Sequence, residues 1–424
     1  MNNLKEIESY FDRLWPICRS ITGNGLRKSL EILQEIIPLT IHEIPSGSQI
    51  FDWVVPEEWN IRDAYIICPN GKKICDIKVN NLHVVNYSVA VHEKMSFDDL
   101  LPHLHVVEGQ QEAIPYITSY YKKTWGFCLS KKELETLPRE GQYEVFIDST
   151  LEPGSMSYGE CILKGESEKE ILFSTYLCHP SMANNELSGP LAAAFVYKAL
   201  LEKIPNRRYT YRFIFIPETI GAIAFLHKNG DHLKKTLTAG FVMTCCGDRG
   251  QITYKLSKRK DSEGDRAAKH ILQNGINHAI IPFSVGGSDE RQFCSPGFNL
   301  PVGSIIRTPY QKYKEYHTSL DNKSFISFAH LLDTVNVSIQ IVQALEMNKV
   351  YTNTIPYCEP QLGKRGLYPS SASPEFNREE LHRLLHFLSY SDGVNDLIEI
   401  AESRGDCVLE YYSIVGQCKE AKLI

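Results

Sequence analysis

The sequence predicts an α/β protein built on a mixed, mostly parallel sheet with helices on both faces. It also predicts a small β-rich inserted domain and a C-terminal winged-helix-like domain. Three observations carry this reading. From about residue 151 to 350, nearly continuous apolar runs of strand length alternate with helical segments, the order produced by a sheet covered on both faces. Between about 49 and 150 the pattern changes to short alternating stretches separated by turn signals, as in a small β-rich module. After Tyr351 comes a proline-punctuated stretch, then a tail of short helical patterns.

Taken in order, residues 1 to about 48 read as two helices, the second being LRKSLEILQEII, followed by a strand-like IHEI. The polar loop RSITGNG lies between the helices. The inserted region offers AYIICP, GKKICDIKV, LHVVNYSVAV and YEVFIDS as strands, with turns at PNGKK and PREGQ. The central region offers EILFSTYL, YRFIFIP, AGFVMTCC and PVGSIIR as buried strands. Its helices are GPLAAAFVYKALLEKI, GAIAFLHKNGDHLKK, DRAAKHILQNG and ISFAHLLDTVNVSIQIVQALE. A linker ending in LYPSSASPEF precedes three short helices with a turn at SDG, and NDLIEIAESRG followed by another helix has the pattern of a helix-turn-helix. The domains expected are therefore a discontinuous catalytic domain (1–48 and 151–350), an inserted domain (49–150), and a linker with a winged-helix-like domain (351–424).

Composition narrows the function classes. The chain has 424 residues, 43% hydrophobic and 23% charged, with a formal net charge of −6. That charge leaves no general footprint for nucleic acid, and no run approaches the roughly 18 apolar residues of a membrane span. The first residues form an amphipathic pattern with no secretory core. Twelve scattered cysteines with no CxxC pair suit reduced, mostly buried thiols. A cytoplasmic protein is expected.

Ligands in open α/β sheets bind beyond the carboxyl ends of the strands, and polar residues follow the apolar runs there. One run leads into His179, a second into Glu218 and Thr219, a third into Asp248, and the fourth into a segment containing His317. A single such residue is unremarkable. Four at equivalent ends of one sheet point to a site.

HPSMANNELSG, IPETIGA and YHTSLDN follow the order and spacing of the bacterial leucyl-aminopeptidase type of zinc exopeptidase. The chain resembles, over essentially its whole length, the aminopeptidase-like proteins associated with bacterial surface-polysaccharide loci. RSITGNGLRKSL, NLHVVNYSVAVH, SYYKKTWGFCLS and GSDERQF extend the likeness. The resemblance implies a zinc-exopeptidase-like fold and a metallo-aminopeptidase-like hydrolase with His179 and His317 as metal ligands and Glu218 as general base. It also shows departures. The metal-bridging aspartate position is Asn185, the second glutamate of a pair is Thr219, and a strand-end aspartate is Thr244. An amide is a poor zinc ligand, so Glu186, one residue on, is the expected third ligand. His179, Glu186 and His317 then make one zinc site per chain.

The substrate expected is a small peptide or an aminoacyl or acyl metabolite. Aminopeptidase, carboxypeptidase-like and deacylase activities share this chemistry. Asp289, Arg19 and Tyr316 are weaker candidates for substrate contact, each with an ordinary alternative as a turn residue, a surface arginine or a packed ring. The aromatics from Tyr120 to Phe127 are candidates for a lid. The competing reading is a degenerate hydrolase that senses a ligand and uses its C-terminal domain for DNA or protein contact. Seven acidic residues from Asp392 to Glu420 argue against DNA and leave a protein contact, such as a homo-oligomer interface. No membrane partner is expected.

Overall fold

The computed structural model describes residues 2–368 and 378–424; most of LYPSSASPEF lies outside the described residues. The main sheet has eight strands: β1 (Thr40–Pro45), β2 (Ser155–Leu163), β3 (Glu170–Tyr176), β4 (Thr210–Ile216), β5 (Leu237–Met243), β6 (Ile252–Lys255), β7 (His278–Ile281) and β8 (Val302–Ile306). Their order is β1-β2-β4-β3-β5-β8-β6-β7. The central four, β4, β3, β5 and β8, are mutually parallel, whereas β2 and β6 run antiparallel to them.

The principal helices are α1 (Asn2–Leu14), α2 (Asn24–Leu33), α3 (Ser188–Lys203), α4 (Ile220–Thr236), α5 (Glu263–Gln273) and α6 (Phe328–Met347). Alternate residues of each central strand enter different cores, because side chains point to opposite faces. Phe173, Phe213 and Phe241 join a cluster with α1, α2, α3, α5 and α6. Leu172, Ile214 and Val242 pack with Ala222, Phe225 and Leu226 of α4 on the other face. This double burial is why these strands read as unbroken apolar runs. Local signals place the helix starts: Ser262 and Asp265 form a capping box before α5, and Ser327 caps α6.

The inserted region forms a four-stranded antiparallel sheet in which Glu58–Ile67 and Tyr143–Glu152 are central, flanked by Lys73–Ile74 and Val91–Met95. It has its own apolar cluster, including Ala64, Ile66, Phe97, Phe127 and Val145. One expected strand is absent. Within LHVVNYSVAV only the last residue begins a strand; the rest is a short turn and a buried loop. The loop carries Asn86, Tyr87 and Ser88, whose polar groups are used across the fold: the Trp59 Nε1–H donates to Ser88 O at 2.9 Å, and Asn86 Nδ2 donates to Arg19 O at 3.0 Å. Leu82 to Ser88 are buried without a break, and their pairing is limited to isolated bridges from Val84 to Phe127 and from Asn86 to Thr118.

The tail folds as α7 (Arg378–Tyr390), a strand Asp392–Asp396, α8 (Leu397–Arg404) and α9 (Tyr412–Glu420). Where the sequence suggests a turn at SDG, Asp392–Asp396 pairs antiparallel with Val350–Thr352, a partner about forty residues upstream in the chain. Among the described residues, no helix is long and apolar enough to cross a membrane. Nine of the twelve cysteines are buried.

A bidentate ion pair ties α2 to the inserted sheet. Arg27 donates through Nη1 and Nη2 to Glu58 at 2.8 and 2.5 Å, and Glu58 also accepts the Ser155 amide at 2.9 Å. The Arg27 hydrogen bond, supported by that amide and by Asn60, lowers the Glu58 carboxyl to about 2. A carboxylate depressed on folding stabilises the fold above its unfolded value, and that stability is lost as pH falls towards about 2. Allowing for solvent screening of this half-buried pair, Glu58→Gln is therefore expected to cost about 1–2 kcal/mol at neutral pH. In urea unfolding, its difference from wild type should shrink to nothing as the pH is lowered; a constant difference from pH 7 down to about 2.5 would refute the pair's role.

Candidate functional site

The candidate residues gather at the carboxyl ends of the parallel strands. β3 runs into His179, β4 into Glu218, β5 into Thr244 and Cys245, and the segment after β8 carries His317. Backbone strain collects here: Ser181, Thr219, Cys245 and His317 all have positive φ, between 45° and 63°. Non-glycine residues occupy that region at a cost, and such strain clusters at functional sites.

His179 is the hub. Its Nδ1 lies 2.9 Å from Glu186 Oε2, and its Nε2 lies 3.6 Å from Glu218 Oε2. The ring of His317 is 5.5 Å away, centroid to centroid. The two imidazoles differ electrostatically. Burial works against charge on His179, but the Glu186 hydrogen bond and the charge of Glu218 prevail and raise it. His317 has no carboxylate of its own; burial first, then the charge of His179, pushes it down to about 3. His317 is a neutral imidazole. Burial also raises the Glu218 carboxyl, opposed by His179.

Glu186 is fully buried in a wide turn, Ala183–Leu187, that leads into α3. Its Oε1 has no hydrogen bond and lies 3.8 Å from Nε of Arg19. Arg19 is itself completely buried, so it stands behind Glu186, out of reach of a substrate carboxylate. Tyr316 stacks on His317 at 4.0 Å. Asp289 accepts the Thr219 amide at 2.7 Å, holding the turn just after Glu218, while its Oδ2 is buried without a partner. Among the described residues, the ligand-type side chains whose donor atoms lie within 4.8 Å of one another are Cys178, His179 and Glu186. His317 is outside that group.

Where the resemblance led to carboxylates, a neutral network stands. Asn185 Nδ2 donates to Tyr176 Oη at 2.9 Å, and Tyr176 Oη meets Thr244 Oγ1 at 2.6 Å. Asp248 is spent on structure: it accepts from Asn184 Nδ2, from the amides of Gly250 and Thr308, and from Thr308 Oγ1.

Two neighbours escape a reading of the sequence. Tyr116, from the inserted region, sets its ring 4.8 Å from His179 and 5.4 Å from His317. It is anchored by its amide, which donates to His317 O at 2.9 Å, and Ile114 and Ser319 exchange bonds beside it. Nothing in EAIPYITS marks this tyrosine. Asp321, in YHTSLDN, accepts the amides of Asn184 and Asn185 at 2.7 and 2.9 Å and so clamps the turn that carries Glu186. The motif made Asp321 visible, but not its partner. The lid expected from Tyr120 to Phe127 divides: Tyr120 reaches Tyr116 at 3.0 Å, whereas Trp125 stacks on His103 and Phe127 is buried in the inserted core.

The domain-of-unknown-function family DUF4910 matches residues 9–348, and a winged helix-turn-helix family matches residues 349–424. The chain belongs to the DUF4910 family. A Clostridium acetobutylicum relative, provisionally named a polysaccharide biosynthesis protein with an aminopeptidase-like domain, is 46% identical over 94% of this chain and 91% of its own length. A crystal structure of a provisionally assigned peptidase from the same organism is 43% identical, with a TM-score of 0.92 over 100% of this chain and 96% of that one. The zinc aminopeptidase of Bacillus subtilis shares the fold at 12% identity, with a TM-score of 0.54 over 80% of this chain and 94% of that one. This DUF4910 member therefore has the aminopeptidase-like α/β fold and a C-terminal winged helix.

Proposed function

We propose that this protein is a hydrolase of amide bonds in a short peptide or an aminoacyl or acyl metabolite, using one zinc ion with Glu218 as general base. The observation that carries the reading is the line of contacts Glu186–His179–Glu218, closed by His317 and covered by Tyr116.

The donors fit one ion. With Nδ1 committed to Glu186, His179 has Nε2 left over, and the His317 ring feels burial and the charge of His179 with no hydrogen bond among its influences. His179 and His317 would hold the zinc, and Glu186, whose Oε1 has no hydrogen bond, is the acid that would complete the usual three protein ligands. Its Oε2 meets His179 Nδ1, the contact by which carboxylates orient metal-binding histidines. The positions that would supply a second ion are neutral at Asn185, Thr219 and Thr244, and both oxygens of Asp248 are occupied. When bound, zinc supplies Lewis acidity and makes water ionise near neutral pH.

The chain's own groups do the rest. Glu218 takes a proton from the attacking water and returns it to the departing nitrogen, a task favoured by a half-buried carboxyl that desolvation raises above its ordinary value. Asp289 fixes the Thr219 amide and with it the position of Glu218. Tyr316 holds the His317 ring, and Tyr116 with Tyr120 keeps bulk water out.

The neutral Asn185–Tyr176–Thr244 network supports a second reading, a degenerate hydrolase acting through its winged helix. Elemental analysis and a panel of aminoacyl and N-acyl amides separate the two. About one zinc per chain with cleavage of at least one amide is expected. Protein that takes up no zinc and cleaves nothing leaves only the second reading.

A further inference from the structure

A cavity of about 500 Å³ lies far from the strand ends that carry His179 and Glu218, at the junction of the catalytic core with the C-terminal helices. Its walls include Lys203, Arg208, Lys349 and Lys419, together with Met347 and Tyr412. We propose that this cavity binds an organic phosphate, its phosphate held by Lys349, Lys419 and Arg208 and its organic part lying against Tyr412 and Met347.

The first support is unpaired charge. Among the described residues, Lys203, Lys349 and Lys419 take part in no salt bridge, in a protein whose net charge is −6. The acids nearby do not answer them. Glu346 spends its carboxylate on the amides of Arg208 and Tyr209 and on Tyr211 Oη, at 2.6 to 3.3 Å. Glu166 remains, exposed at the rim.

Lys203 and Lys419 stand in the last turns of α3 and α9, and Lys349 follows α6 by two residues. Cations at helix carboxyl ends are stabilising on their own. That purpose asks for a cation at each helix end but gives no reason for three of them to share one cavity with Arg208. Lys349 is lowered, by burial and then by the charges of Arg208 and Lys419, with Glu166 and Glu346 falling short of offsetting them. The cluster is over-supplied with positive charge, a surplus that a dianion would neutralise.

The second support is shape. Tyr412 is 75% exposed although its neighbour Tyr411 is fully buried. It offers a ring face beside the cations, with Leu409 and Val415 adding apolar wall. A phosphate attached to a ring or sugar sets a dianion against the cations and a flat face against Tyr412; a fatty acid brings a single charge and no ring to stack. Because the walls come from both the core and α9, such a ligand would hold the two together.

The test uses the full chain at low ionic strength, where such contacts are least screened, with inorganic pyrophosphate and ADP as probes in titration calorimetry. Both are expected to bind wild type, ADP more tightly, and Lys349→Met/Lys419→Met is expected to bind each at least tenfold more weakly. Tyr412→Ala should weaken ADP and leave pyrophosphate unchanged. Without added anion, Lys349→Met should melt at or above the wild-type temperature, because it relieves repulsion. The proposal is overturned if neither probe binds wild type, if the double variant binds as well as wild type, or if Lys349→Met melts clearly lower, as helix-end compensation requires. Amide hydrolysis plays no part in these readouts, so they stand or fall separately from the reading of Glu218.

Discussion

Glu218→Gln is expected to lower kcat by about 10²- to 10⁴-fold, the contribution typical of a positioned general base, while zinc content and melting temperature stay at wild-type values. The substitution keeps the size of the side chain and its place beside His179 Nε2, 3.6 Å away in the wild type. It removes the capacity to accept a proton. An ordinary explanation exists for this carboxylate, since Glu218 lies just before α4 and an acid there favours the helix dipole. Under that explanation Gln would cost about 0.3–1 kcal/mol of stability and leave turnover unchanged. Steady-state kinetics with a melting curve on the same preparation distinguishes the two, and wild-type turnover in the variant would remove Glu218 from the mechanism.

Asp321→Ala is expected to destabilise the fold by about 3 kcal/mol, the scale of losing two charge-assisted bonds and leaving their donors buried. The carboxylate receives the amides of Asn184 and Asn185, and the Asp321 carbonyl receives that of Ala183 at 2.9 Å. Those three amides begin the turn that carries Glu186, so loosening it also moves the partner of His179. Asp321→Asn keeps one acceptor oxygen and should fall between wild type and Ala. Urea unfolding measures the order. If Asp321→Ala unfolds within about 0.5 kcal/mol of wild type, the clamp carries no weight and the turn is held by its packing.

These two residues show how unevenly the site could be read. Glu218 was legible because an apolar strand ends on it, and strand ends are where α/β sheets present chemistry. Asp321 was visible only as part of a motif, since its partners lie more than 130 residues away in the chain. Tyr116 was not legible at all. It belongs to the inserted region and reaches the histidines only because its backbone pairs with that of His317 and Thr318. Glu186 was legible as a residue but not in its contacts: the structure sets its Oε2 against Nδ1 of His179, with Arg19 behind it.

The loop at Asn86 teaches the same lesson for the fold. LHVVNYSVAV reads as a strand because it is rich in apolar and β-branched residues, yet Leu82 to Ser88 are buried without a break, and burial is all that the pattern reports. Val85 N bonds to Gly126 O and Asn86 N to Ile117 O, and the bridges at Val84 and Asn86 stay isolated and do not extend into a strand.

By itself the sequence determined which segments become the central strands and helices, because double burial of a strand and the capping of a helix are written in neighbouring residues. It also set neutral side chains at Asn185, Thr219 and Thr244, positions where the family resemblance implies carboxylates. Only the tertiary structure decided what His179 touches, which acid orients it, and what covers it. Those are distances between groups brought together by the sheet order β4-β3-β5-β8 and by the inserted region folding over its end. Hydrogen bonding is directional and falls away within an ångström, so a side chain's identity at a strand end leaves its role open until its neighbours are placed.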